Sequence, residues 1–182
     1  NDDGHMDFAT GCPSQAVGVE AAAGEVRIGY GDGEGSFTWG VLNQDTATVS
    51  GGTEPDDRFG AQLASGDFNC DGIADLAVGV PYEAVGSTPD AGVVQVFAGS
   101  ASGIPAGGNQ LFDYGDLGGV PEGGARFGFA LAAGGFDDTV FDDCDDLAIG
   151  MPYGLGSSKG VVLVMNGSAG GLTPLGSRTI DR

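Results

Sequence analysis

The chain has 182 residues, 37 of them glycine, and a formal charge of −20 from 26 acidic and 6 basic side chains. That length can bury a sizeable core. A chain without a basic patch is poorly suited to nucleic acid or an anionic membrane, and no stretch is long and apolar enough to span a bilayer as a helix. Asp far outnumbers Glu, as in turns and cation loops, although an acidic, lysine-poor surface also serves solubility or adaptation to salt.

Short apolar runs between clusters of Gly, Pro, Asp and Ser predict many short strands. In chain order the first three cover residues 8–13, 25–30 and 37–44. A strand over 58–64 follows, then a polar loop over 67–75. Residues 76–81 are a nearly continuous apolar run, as in a strand buried on both faces, and strands over 92–97 and 109–114 complete the set. The same order returns over 126–131, 147–152 and 160–165.

These elements recur at a fixed offset of 68 residues. Asn1 to Ala9 lies over Asn69 to Ala77, Gly11 over Gly79, Pro13 over Pro81, and Gly24 over Gly92 and then Gly160. A period of this length with four short strands per unit predicts an all-β repeat fold of the propeller type. The units run over 1–52, 53–122 and 123–182, just under three four-stranded blades. The first lacks its first strand and the opening residue of its acidic loop. The expectation is therefore a piece of a longer propeller, or a chain whose missing strand is supplied by a partner.

The motifs resemble FG-GAP repeats, found in the heads of integrin α-subunits and in many secreted bacterial proteins. Phe59-Gly60 and Phe127-Gly128 supply the "FG"; Thr10 to Pro13, Val78 to Pro81 and Ile149 to Pro152 occupy the "GAP" position. The resemblance implies a calcium-bearing, integrin-like β-propeller, seven-bladed in integrins, that is secreted or on the cell surface. The Gly/Ala-rich style is similar to the bacterial secreted members.

The acidic loops carry the chemistry. Asp67, Asn69, Asp71 and Asp75 stand at positions 1, 3, 5 and 9 of one loop, with Gly72 at position 6 for the sharp turn and Ile73 at position 7 offering its carbonyl. Alternating oxygen donors of this kind wrap a hard cation, Ca²⁺ rather than Zn²⁺ or Cu²⁺. The first unit repeats the pattern with Asn1, Asp3, the His5 carbonyl and Asp7, without the position-1 Asp. In the third unit Gly135 replaces that Asp, and the longer loop aligns only Asp137 and Asp146 with Asn69 and Asp75; a degenerate loop and a remodelled site are both open.

Three cysteines leave at least one unpaired within the chain. Cys70 and Cys144 sit in the acidic loops of adjacent units. A bridge requires Cα atoms within about 7 Å, and neighbouring blade loops usually splay further, so separate thiols are expected; Cys12 lies at the opposite end of its strand.

No catalytic constellation is evident. The single His sits in an acidic loop, Ser100 and Ser168 occupy matching turns without a base, and Gly31 to Gly35 is an acidic turn rather than a phosphate loop. Trp39 is expected to pack in or against its strand. Tyr82 and Tyr153 stand at equivalent positions after Pro81 and Pro152. They form either a surface for a protein or glycan ligand or a rim packed against the next blade.

The expected function is non-catalytic binding or adhesion, with calcium holding one face and ligand contacts on the other, over residues 14–23, 82–91 and 153–159. The alternatives are an accessory propeller of a secreted hydrolase and a self-assembling surface protein whose chains complete each other's blades.

Overall fold

A computed structural model describes residues 1–105, 107–136, 144–154 and 160–180, the side chains of 175–177 excepted. Among the described residues all regular structure is strand, in three antiparallel sheets. The first contains β1 (Phe8–Cys12), β2 (Glu25–Gly31) and β3 (Phe37–Leu42). The second contains β4 (Gln62–Gly66), β5 (Asp75–Val80), β6 (Val93–Phe97) and β7 (Gln110–Phe112). The third contains β8 (Ala130–Gly134), β9 (Asp146–Met151), β10 (Val161–Asn166) and β11 (Thr173–Ile180).

Each sheet is a meander whose neighbours in sequence are neighbours in space. The 68-residue offset survives as pairing register: Phe8 opposes Gly29, and Leu76 opposes Phe97. The centre of each sheet is its driest part. All six residues of β5 are buried, as its near-continuous apolar run predicts, and all five of β6 are buried as well.

The first strands of the second and third sheets start later than the apolar pattern suggests. Arg58 and Arg126 lie at φ 60° and 59°, and Gly60 and Gly128 both at 82°. Left-handed residues break a strand, so the Phe-Gly pair forms a turn ahead of β4 and β8. In that turn the Phe59 N–H reaches the Ala23 carbonyl, and the Phe127 N–H the Ala91 carbonyl, both at 2.8 Å. Both phenyl rings are fully buried. Each Phe-Gly turn thus locks its own sheet to the loop of the sheet before it. A Cβ at Gly79 would strike the Gly128 carbonyl, and one at Gly11 the Gly60 carbonyl; the glycine of the "GAP" motif is the close-approach point.

Two apolar cores lie between the sheets. Val26, Ile28 and Leu42 of the first sheet meet Leu76, Val78, Val93 and Phe97 of the second, with Phe59 between them. Val94, Val96 and Phe112 from the opposite face of the second sheet meet Leu147, Ile149 and Leu163 of the third, with Phe127 in the matching place. Burial of such side chains contributes about 1.5–3 kcal/mol each, so these two seams dominate the stability.

The outer face of the first sheet has no such cover among the described residues. Phe8, Phe37 and Trp39 form an edge-on cluster with Phe8 centroids 5.1 Å and 5.4 Å from the other two. Trp39 is 55% exposed, against the expectation that it packs away. Its strand alternates, turning Leu42 inward and Trp39 outward. The residues equivalent to Phe8, Leu76 and Leu147, are buried in the two seams.

Candidate metal centre

The loop between β4 and β5 is held by its own acidic side chains. Asp67 accepts the Asp71 N–H at 3.1 Å and the Gly72 N–H at 2.8 Å through its two oxygens. Asn69 Oδ1 accepts the Asp71 N–H at 2.9 Å, and Asp71 Oδ1 accepts the Ile73 N–H at 2.8 Å. Gly72 lies at φ 83° and Cys70 at 58°, the reversals that a loop winding about a point requires.

Asp75 differs from the other loop acids because it opens β5 and is 2% exposed. Its oxygens accept the Gly99 N–H at 2.7 Å and the Phe68 N–H at 3.0 Å. It therefore ties the loop to the end of β6. Burial, assisted by the charges of Asp71 and Asp67, raises its pKa, and the two N–H donors oppose the rise.

The same device occurs in all three sheets. Asp7 accepts the Gly31 N–H at 3.0 Å and the Asn1 ammonium at 2.9 Å. Asp146 accepts the Gly167 N–H at 3.0 Å and the Phe136 N–H at 2.8 Å. Asp3 accepts the His5 N–H at 2.8 Å, repeating Asp71 and Ile73. His5 is exposed. Asp137 lies outside the described residues. Among those described, no three His, Cys, Asp or Glu side chains gather as a ready-made metal cage; the loop oxygens are turned onto backbone N–H groups. The donor set of the 67–75 loop nevertheless fits a hard cation: every donor is oxygen, and oxygens that accept one N–H keep a second lone pair.

The loop is also clamped to the third sheet. The Asp145 N–H reaches the Asp67 carbonyl at 2.8 Å, and Asp145 Oδ2 accepts the Asp67 N–H at 2.9 Å. Cys70 and Cys144 form a disulfide with Cα atoms 4.7 Å apart. This corrects the expectation of separate thiols: reciprocal bonds between Asp67 and Asp145 draw the two loops together instead of letting them splay. Cys12 is free. Asp145 has no distinguishing spacing in its acidic run, so its positioning role is not visible in the sequence.

At the other end of the sheets, Tyr82 and Tyr153 are joined by arginines. Arg58 and Arg126 place Cζ 4.5 Å and 4.6 Å from the Tyr82 centroid, and Arg126 stands 5.1 Å from Tyr153. Tyr153 is half exposed. The 14–23 and 82–91 loops share a fold, with matching bridges between Val17 and Glu20 and between Val85 and Thr88. A cavity of about 330 Å³ opens between the first two sheets, between β1 and residues 63–65 of β4.

The meander sheets, Phe-Gly turns and acidic β4–β5 loop define an FG-GAP β-propeller segment, and residues 59–97 match the FG-GAP repeat family. Over 166 residues, 89% of its length, the chain is 32% identical to phosphatidylinositol-glycan-specific phospholipase D of Homo sapiens and 34% identical to that of Rattus norvegicus. In an alignment of 187 positions that covers 98% of its length, it is 31% identical to integrin alpha-V of Gallus gallus. It spans 19% of the length of those phospholipases and 15% of the integrin.

Proposed function

We propose that the chain is a calcium-stabilised, non-catalytic propeller segment of a secreted or cell-surface protein, acting in ligand binding or adhesion. The observation that carries the reading is the 67–75 loop, whose oxygen donors alternate around Gly72 and whose frame is pinned to the next sheet by Asp145 and a disulfide. Asp67, Asn69, Asp71 and Asp75, with the Ile73 carbonyl, would hold Ca²⁺. Bound calcium supplies charge neutralisation and rigidity. Asn1, Asp3, Asp7 and the His5 carbonyl would hold a second ion in the same way, and Asp146 marks the weaker third position.

Ligand contacts belong to the opposite face, around Tyr82 and Tyr153, with a protein or glycan as partner. A neighbouring blade, of the same polypeptide or of another copy, covers Phe8, Phe37 and Trp39. The support is internal: the equivalent leucines of the second and third sheets are buried by the sheet before them. A disulfide between surface loops suits an oxidising compartment.

Similarity to phosphatidylinositol-glycan-specific phospholipase D favours a second reading, an accessory propeller of a secreted hydrolase. Calcium titration calorimetry tests the metal assignment: wild type binds and Asp71→Ala loses one equivalent, whereas an unchanged stoichiometry contradicts it. Binding of glycans or matrix proteins that falls with Tyr153→Ala supports the ligand face; binding indifferent to Tyr153 removes it.

A further inference from the structure

The two seams differ at four matched positions. At the second they hold Tyr114, Ala125, Gly154 and Leu163, and Ala125 and Leu163 belong to the apolar core with Tyr114 packed on it. At the first they hold Gln44, Asp57, Glu83 and Gln95, all less than a tenth exposed. The matching follows the pairing of Leu42 with Val26 and of Phe112 with Val94, and the repeat pairs Arg58/Arg126, Tyr82/Tyr153 and Gly92/Gly160.

The polar set is internally bonded. Gln44 Nε2 donates to Glu83 Oε2 at 2.6 Å. Gln95 Nε2 donates to the Ser50 carbonyl at 2.9 Å and its Oε1 accepts from Asn109 at 3.3 Å. Asp57 Oδ2 accepts the Glu54 N–H at 2.7 Å. Gln44 Oε1 is buried with no partner. Asp57 is 2% exposed and Glu83 8%. Arg58, stacked on the Tyr82 ring, brings their chain neighbours Asp57 and Glu83 to the same part of the seam; the charges of Glu83, Glu54 and Asp56 bear on Asp57, and Glu83 is bonded by Gln44 and feels Glu54. Among the described residues no Lys or Arg forms an ion pair with either, and Arg58 is engaged with the Tyr82 ring.

Two ionised carboxylates in a dry seam without a counter-ion are strongly unfavourable. One proton between them removes that conflict. We propose that Asp57 and Glu83 share one proton in the folded chain and act as a pH-sensitive clasp between the first and second sheets. The clasp lies away from the calcium loop and beside Tyr82 of the proposed ligand face.

Burial first, then the charge of Glu83, pushes the Asp57 carboxyl from 3.8 up to about 7. Burial raises Glu83 as well, opposed by its bond from Gln44. A carboxyl whose folded value lies above its unfolded one favours folding fully below the unfolded value, and that contribution is lost as the pH rises through the folded value. The clasp is closed in mild acid and loosens above about pH 7.

Carboxyl ¹³C NMR on the full chain tests this. The Asp57 resonance titrates with a midpoint near 7, and Glu83→Gln moves that midpoint down. A midpoint below about 5, the ordinary carboxylate range, overturns the proposal, as does a midpoint that ignores Glu83→Gln. If that variant fails to fold, the wild-type midpoint alone decides.

Discussion

At the scale of single residues, the acids of the 67–75 loop divide by burial. Asp71 is exposed and bonds only within the loop, whereas Asp75 is buried and holds the N–H groups of Phe68 and Gly99. Asp75→Ala leaves the buried Phe68 N–H without its acceptor, at about 1–3 kcal/mol, and the half-buried Gly99 N–H at a smaller cost. Urea unfolding without calcium is therefore expected to show a loss of that order for Asp75→Ala and little change for Asp71→Ala. Equal losses would mean that Asp75 has no structural task beyond its place in the loop. The spacing of the acids singles out Asp67, Asn69, Asp71 and Asp75 as candidate donors. It could not reveal that Asp75 reaches a partner 24 residues away, because Gly99 carries no side-chain signal and the contact uses only its backbone N–H.

At the scale of elements, the repeat made the strands legible and the seams much less so. A continuous apolar run such as 76–80 reads as a buried strand in any context. The Phe-Gly turns read as strand because Arg-Phe-Gly-Ala looks apolar and alternating, while the left-handed φ of Arg58 and Arg126 belongs to contacts with the preceding sheet. Gly79→Ala forces a Cβ against the Gly128 carbonyl, and overpacking of this kind costs about 1–3 kcal/mol. The expected drop in Tm is accompanied by faster hydrogen exchange in both sheets at that seam; a neutral Gly79→Ala would show that the seam has slack. The disulfide escaped the sequence for the same reason as the seams, since it depends on how two loops meet. It closes a separation of 74 residues, for which chain entropy gives about 4 kcal/mol. Reduction, or Cys70→Ser, is expected to lower Tm and weaken calcium binding together. A fall in stability with calcium affinity unchanged would separate the bridge from the loop.

At the scale of the whole molecule, a charge of −20 on 182 residues sets the background for every local site. The Debye length falls from about 30 Å at 0.01 M salt to about 8 Å at 0.15 M, so calcium-free protein is expected to gain thermal stability with added KCl until the repulsion is screened. A flat response would place the acids too far apart, or too well paired, to matter. Calcium adds to this in a specific way, because an ion that binds only the folded state stabilises it by about 2.7 kcal/mol at one hundred times its dissociation constant. Thermal unfolding of wild type and Asp71→Ala, with and without calcium at fixed ionic strength, decides whether the 67–75 loop holds the ion. Calcium is expected to raise the Tm of wild type and to raise that of Asp71→Ala by clearly less. An equal rise in both proteins, or none in wild type, would contradict the calcium assignment.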